Sequence, residues 1–132
     1  MPHLPPLVTL SAEEMWLMAG ACLLMLIDVV TGLLQAWMSH GYQSSKMREG
    51  LGHKIVLVLY IVLAVVIQAI VQHVGDVGWT VPMVYAVSLY IVVMEVSSIV
   101  ENLANAYPEL KQTKLLSFFA NSQSQKEDGN DA

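Results

Sequence analysis

Residues 54–73 read KIVLVLYIVLAVVIQAIVQH, an apolar, β-branched run interrupted only by Tyr60, Gln68 and Gln72. A hydrocarbon core takes about twenty helical residues to cross, and this stretch has that length. Membrane-spanning strands alternate inward and outward residues over about ten positions, which this run does not do. In lipid, an unbroken apolar segment of this length satisfies its own backbone donors and acceptors only as a helix. The run predicts a transmembrane helix over 54–74.

The same reading extends in both directions. Residues 39–53 (SHGYQSSKMREGLGH) are polar, glycine-rich and basic, and read as a loop. Ahead of it a second apolar run occupies 12–38. Ser11 offers this helix an N-cap, and Glu14 completes a capping-box pattern. At about 1.5 Å per residue, Trp16 and Trp37 lie roughly 31 Å apart, the thickness of a hydrocarbon core. Indole rings favour the interface, so both read as anchors. Residues 1–11 contain three prolines and form a lead-in.

On the other side, 75–79 is a tight glycine-containing turn that ends on a further anchor, Trp79. A third helix is expected over 80–107, with Pro82 in its first turn, where proline is tolerated. Pro108 stops it, because the residue before a proline disfavours helix. Residues 108–120 mix Lys111 and Lys114 with leucines and phenylalanines, as an interfacial helix or a plain juxtamembrane segment would. Residues 121–132 (NSQSQKEDGNDA) are polar and expected to be disordered. The fold class expected is an all-α integral membrane protein with three transmembrane helices and a disordered polar C-terminal tail.

Composition agrees. The 132 residues are 55% hydrophobic and 13% charged, with mean hydropathy +0.56. Soluble domains carry about a quarter charged residues. The net charge is −5, and the six Lys and Arg form no stripe able to follow a phosphate backbone, which argues against nucleic-acid binding. Cys22 is the only cysteine, so no internal disulfide or cysteine metal cluster forms. It reads as a small buried hydrophobe, with an intersubunit disulfide as the alternative. No Lys or Arg precedes Lys46, so the first run lacks the basic flank of a signal peptide and reads as a retained span.

The cations also set an orientation. Lys46, Arg48 and Lys54 lie in or beside the first loop, and Lys111, Lys114 and Lys126 follow the last span. The positive-inside rule places that loop and the C-terminus in the cytoplasm. The N-terminus and the turn at Asp76 then face outward.

Three carboxylates interrupt the spans: Asp28, Glu95 and Glu101. An ionised carboxylate facing lipid costs at least about 2.5–3.5 kcal/mol, so such groups turn toward protein or water. Asp28, Thr31, Gly32, Gln35, Ala36 and Ser39 share one helix face. Small and polar residues there allow close helix approach and hydrogen bonding. Ser88, Glu95, Ser98 and Asn102 form a similar stripe in the third helix, with Ser97 and Glu101 beside it. In the second, Tyr60, Ala64, Gln68 and Gln72 recur at every fourth residue. Counted from the flanking tryptophans, Asp28 and Glu95 should lie at similar depth in the inner half of the bilayer. Glu101 and Lys54 should both lie near the cytoplasmic interface, where two contacts are open to Lys54: an ion pair with Glu101 or lipid phosphate. Packing of the three helices accounts for the serines, glycines and glutamines, whereas Asp28 and Glu95 read as functional or oligomeric. His40, His53 and His73 read as solvated or interfacial. Met15, Met18, Met25 and Met38 read as lipid-facing filler. No catalytic constellation, phosphate loop, cofactor motif or metal-ligand spacing is visible.

DVVTG at 28–32, followed by Ala36, then Ser44, Ser45 and Lys46, Gly50 and Lys54, resembles a signature of the toxin-secretion/phage-lysis holin family. EVSSIVEN at 95–102 resembles that family's second signature, on its last span. The resemblance covers roughly residues 20–110. It implies a protein that accumulates in the bacterial cytoplasmic membrane, homo-oligomerises and opens timed lesions. A phage endolysin, or in some hosts a large toxin, then passes outward. The chain departs from the family pattern after Asn102, where Pro108 alone recurs from a common Gly- and Pro-containing ending, and its tail is acidic at the end.

Two other classes compete with this expectation. One is a small ion or solute channel, or a transporter subunit, using the same carboxylates as a pathway. The other is an antiholin or accessory subunit that binds a true holin and delays lysis. Selective flux without endolysin release marks the first, and delayed killing on co-expression marks the second.

Overall fold

The computed structural model describes residues 4–41, 44–75 and 82–109. Its elements are α1 (Ala12–Met38), α2 (Ser44–Val74) and α3 (Met83–Ala106), and the described residues contain no strand. Each helix is long and apolar enough to cross a membrane. Trp79, Asp76, the rest of the turn through 81 and the segment 110–132 lie outside the described residues, so the expectations placed on them concern residues not described.

The helix ends follow from local chemistry. The expected capping box forms at α1: the Glu14 N–H donates to Ser11 Oγ at 3.1 Å, and the Ser11 N–H donates to Glu14 Oε2 at 2.8 Å. Two of the donors stranded at a helix start are thereby satisfied. At the far end the Ser39 N–H donates to Gln35 O, and His40 turns the chain with φ 51°. α2 ends at Gly75, whose φ of +87° is open to glycine at no steric cost.

Two boundaries depart from the sequence reading. α2 begins at Ser44, so residues 44–53 are helical where a loop over 39–53 was expected. Its 31 residues span about 46 Å, well beyond a core of about 30 Å, so the polar and basic turns continue the span's helix. Lys46, Arg48 and Glu49 carry ordinary helix propensity, and the two glycines interrupt them too sparsely to stop it. Pro82 precedes α3 as its N-cap residue and does not lie in the first turn.

α1 and α3 run parallel and pack along their length. α2 runs antiparallel, lies mainly on α3 and barely touches α1. The core is thin: Ala21, Met25, Leu57, Ile61 and Ile91, backed by Met18, Val65, Val87 and Val92. Lipid chains are as apolar as leucine, so close backbone approach is what holds membrane helices together. Ala21 and Ser88 are fully buried, and Ala64 and Ala104 nearly so. Ser88 Oγ has no hydrogen-bond partner among the described residues, so Ser88 contributes its small size. Leu23, Leu26, Val30, Ile55, Leu59, Leu63, Tyr90 and Val93 are exposed, an outer surface suited to lipid.

The packing corrects three expectations. Met18 and Met25 belong to the core, while Met15 and Met38 face out. Cys22 is exposed beside the buried Ala21. Tyr60 is 52% exposed and off the α2 seam, which is built from Leu57, Ile61, Ala64 and Gln68. A repeat of four overshoots a helical turn by about 40°, so two steps carry Tyr60 about 80° from Gln68.

Candidate functional site

The seams of all three helices converge on one side chain. Lys54 Nζ lies 2.6 Å from Asp28 Oδ2 of α1 and also pairs with Glu95 Oε2 of α3. Asp28 and Glu95 therefore sit at one height, bound to a single ammonium group. The side chains are 13% exposed for Lys54, 14% for Asp28 and 2% for Glu95, so the pairing is largely sheltered. Two carboxylates and one ammonium carry a formal charge of −1.

Hydrogen bonds brace the cluster. Asn102 Nδ2 donates to Asp28 Oδ1 at 2.9 Å, and lies 3.4 Å from both Asp28 O and Thr31 Oγ1. Thr31 Oγ1 donates to Asp28 O at 3.0 Å, one turn back on the same helix. Gly32 borders the same amide: a Cβ there would meet Asn102 Nδ2 at 3.6 Å, an ordinary van der Waals contact.

Of the two contacts the sequence leaves open for Lys54, the ion pair with Glu101 does not form; Lys54 pairs with Asp28 and Glu95 instead. Glu101 is exposed and has no ion-pair partner among the described residues. The cause is the axial register of α2 against α3, which sets Lys54 level with Glu95. Lys54 lies well inside a helix that begins at Ser44, and Glu101 lies about 9 Å of helix rise beyond Glu95.

Beside the triad is a cleft of about 560 Å³ between the second half of α1 and the first turns of α2. Asp28, Gly32, Gln35, Ala36, Lys46, Gly50, Lys54 and Asn102 all line it. Residues from both signatures therefore meet in one place. Ser44, Ser45 and Arg48 are exposed on the same turns of α2, and Ser98 is half-buried on α3. Trp16 and Trp37 project outward, 79% and 76% exposed.

A second polar contact, at the opposite end of the bundle, was missed by the sequence reading. Gln68 Nε2 donates to Glu14 Oε1 at 2.9 Å, and Gln68 Oε1 accepts the Val84 N–H at 3.1 Å. Pro82 supplies no side-chain cap, so Gln68 caps α3 from across the bundle. Gln72 and Thr9 exchange two further bonds, at 2.8 and 2.9 Å. A glutamine within an apolar span was the available signal, but the capping box already accounted for Glu14.

The model of the family described as the bacteriophage holin family matches residues 7–116. No curated protein and no solved structure matches the chain.

Proposed function

Because the chain belongs to the bacteriophage holin family, a family of pore-forming membrane proteins, we propose that it accumulates in the bacterial cytoplasmic membrane and assembles there into timed lesions. Endolysin, or a large toxin, passes through them. The Lys54 bridge between Asp28 and Glu95 carries this reading. In the single chain it satisfies internally the charges that lipid excludes and leaves apolar faces outward. Three helices cannot enclose a protein-sized hole, so a lesion takes many copies. At high density the seams re-pair between subunits around water, and the apolar faces stay with lipid. Breaking the bridge is then part of the barrier that sets the time. The expected orientation, with 39–53 and the C-terminus cytoplasmic, puts the triad in the inner half of the bilayer.

Inducible expression with and without a cytoplasmic endolysin tests this, with turbidity and membrane potential as readouts. Abrupt, delayed loss of potential is expected, with lysis only when the endolysin is present. At matched membrane abundance, Lys54→Met should advance the onset. Normal growth with intact potential overturns lesion formation and points to an antiholin or accessory subunit. Onset unchanged in Lys54→Met, Asp28→Asn and Glu95→Gln alike overturns the timing role of the bridge.

A further inference from the structure

We propose that the cleft between α1 and the first turns of α2 binds the phosphate headgroup of a membrane phospholipid. Its volume of about 560 Å³ falls within the 300–1,000 Å³ or so of small-ligand sites. It exists because α1 and α2 hardly touch and because glycines line it; a Cβ on Gly50 would meet nothing within 4 Å.

Its two kinds of wall match the two parts of a phospholipid. Lys46 and the Gln35 side chain line the cleft and have no ion-pair or hydrogen-bond partner among the described residues, so a cation and an amide face the cavity unused. Lys54 is already held by two carboxylates, which leaves Lys46 as the lining cation able to meet a phosphate. Leu33 and Leu51 line the same cleft and are 40% and 45% exposed, continuing its wall onto the lipid-facing surface. A headgroup at Lys46 therefore places its acyl chains along Leu33 and Leu51. Free phosphate has no use for those two side chains. The site lies just inside the end of α1 marked by Trp37, at the depth where indole rings and headgroups meet.

Native mass spectrometry of the full chain, released from detergent micelles containing phosphatidylglycerol, tests the site. The wild type should retain one lipid per chain, and excess inorganic phosphate should not displace it. Lys46→Ala should weaken retention about fivefold, the worth of one lysine beside an anionic headgroup. Gly50→Leu fills the cleft with a better helix former and should abolish retention. Arg48→Ala and Gly52→Leu, neighbours that do not line the cleft, should retain lipid as the wild type does. Failure of the wild type to retain lipid overturns the proposal. So does retention by Gly50→Leu, equal weakening by Arg48→Ala and Lys46→Ala, or displacement by inorganic phosphate. Should Gly50→Leu lose its helical circular dichroism, the Lys46→Ala and Arg48→Ala pair still decides.

Discussion

At the scale of residues, the triad is asymmetric because one ammonium serves two carboxylates. Lys54→Met leaves Asp28 and Glu95 facing each other with no cation, and removing one partner of a buried pair costs about 3–5 kcal/mol. Asp28→Asn leaves a neutral Lys54–Glu95 pair and an amide oxygen still able to accept from Asn102. Its cost should be near that of one hydrogen bond, about 1 kcal/mol. Thermal unfolding in micelles should therefore rank Lys54→Met as much the less stable. The double variant Lys54→Met/Glu95→Gln should lose less than the sum of its single changes, because the second change removes a charge the first stranded. Equal losses for Lys54→Met and Asp28→Asn would show that Lys54 is not shared.

At the scale of elements, the starts of α1 and α3 are capped by different devices. α1 caps itself through Ser11 and Glu14, whereas α3 begins after a proline and takes its cap from Gln68 on α2. Hydropathy alone would favour leucine at position 68. The structure predicts the reverse: Gln68→Leu takes the partner from Glu14 Oε1 and from the Val84 N–H, both in buried residues, while Glu14 Oε2 keeps the Ser11 N–H. An unmade buried hydrogen bond costs about 1–3 kcal/mol, so the loss should reach at least about 2 kcal/mol in the same unfolding measurement. Unchanged or raised stability would rule out a role for the Gln68 contacts. The long α2 is a second result at this scale. It draws Lys54 from the edge of a loop into the body of a helix, and the triad depends on that placement.

At the scale of the whole molecule, few residues are buried and many apolar side chains face outward, the reverse of a soluble domain. The protein is a multi-pass membrane protein, and its bundle is joined by polar contacts near both ends of a thin apolar core. α1 and α3 form a closely packed pair, and α2 is attached chiefly through α3 and the ion triad. In the proposed assembly, α2 is therefore the element freest to re-pair with another copy. The proposed orientation yields a direct test with single cysteines in a Cys22→Ala background. A membrane-impermeant maleimide added to intact spheroplasts should label a cysteine at Thr9 and spare one at Ser45. The opposite pattern would invert the orientation.

Segment length, hydropathy and capping are local properties, so the sequence by itself determined three spans, an all-helical fold and the capping box. Helical periodicity also placed Asp28 on a polar face of α1 and Glu95 and Asn102 on one of α3. The resemblance of two short signatures to the holin family agrees with the match over residues 7–116. Periodicity says which residues share a face, but not which neighbour that face turns toward. Tertiary structure alone decided that Lys54 serves Asp28 and Glu95, that Glu101 stands apart, that Tyr60 faces out and that Gln68 caps α3. Those outcomes depend on how each helix is rotated and shifted along its axis. Rotation and shift follow from the close fit of Ala21, Gly32, Ala64 and Ser88 across helices that are distant in the chain.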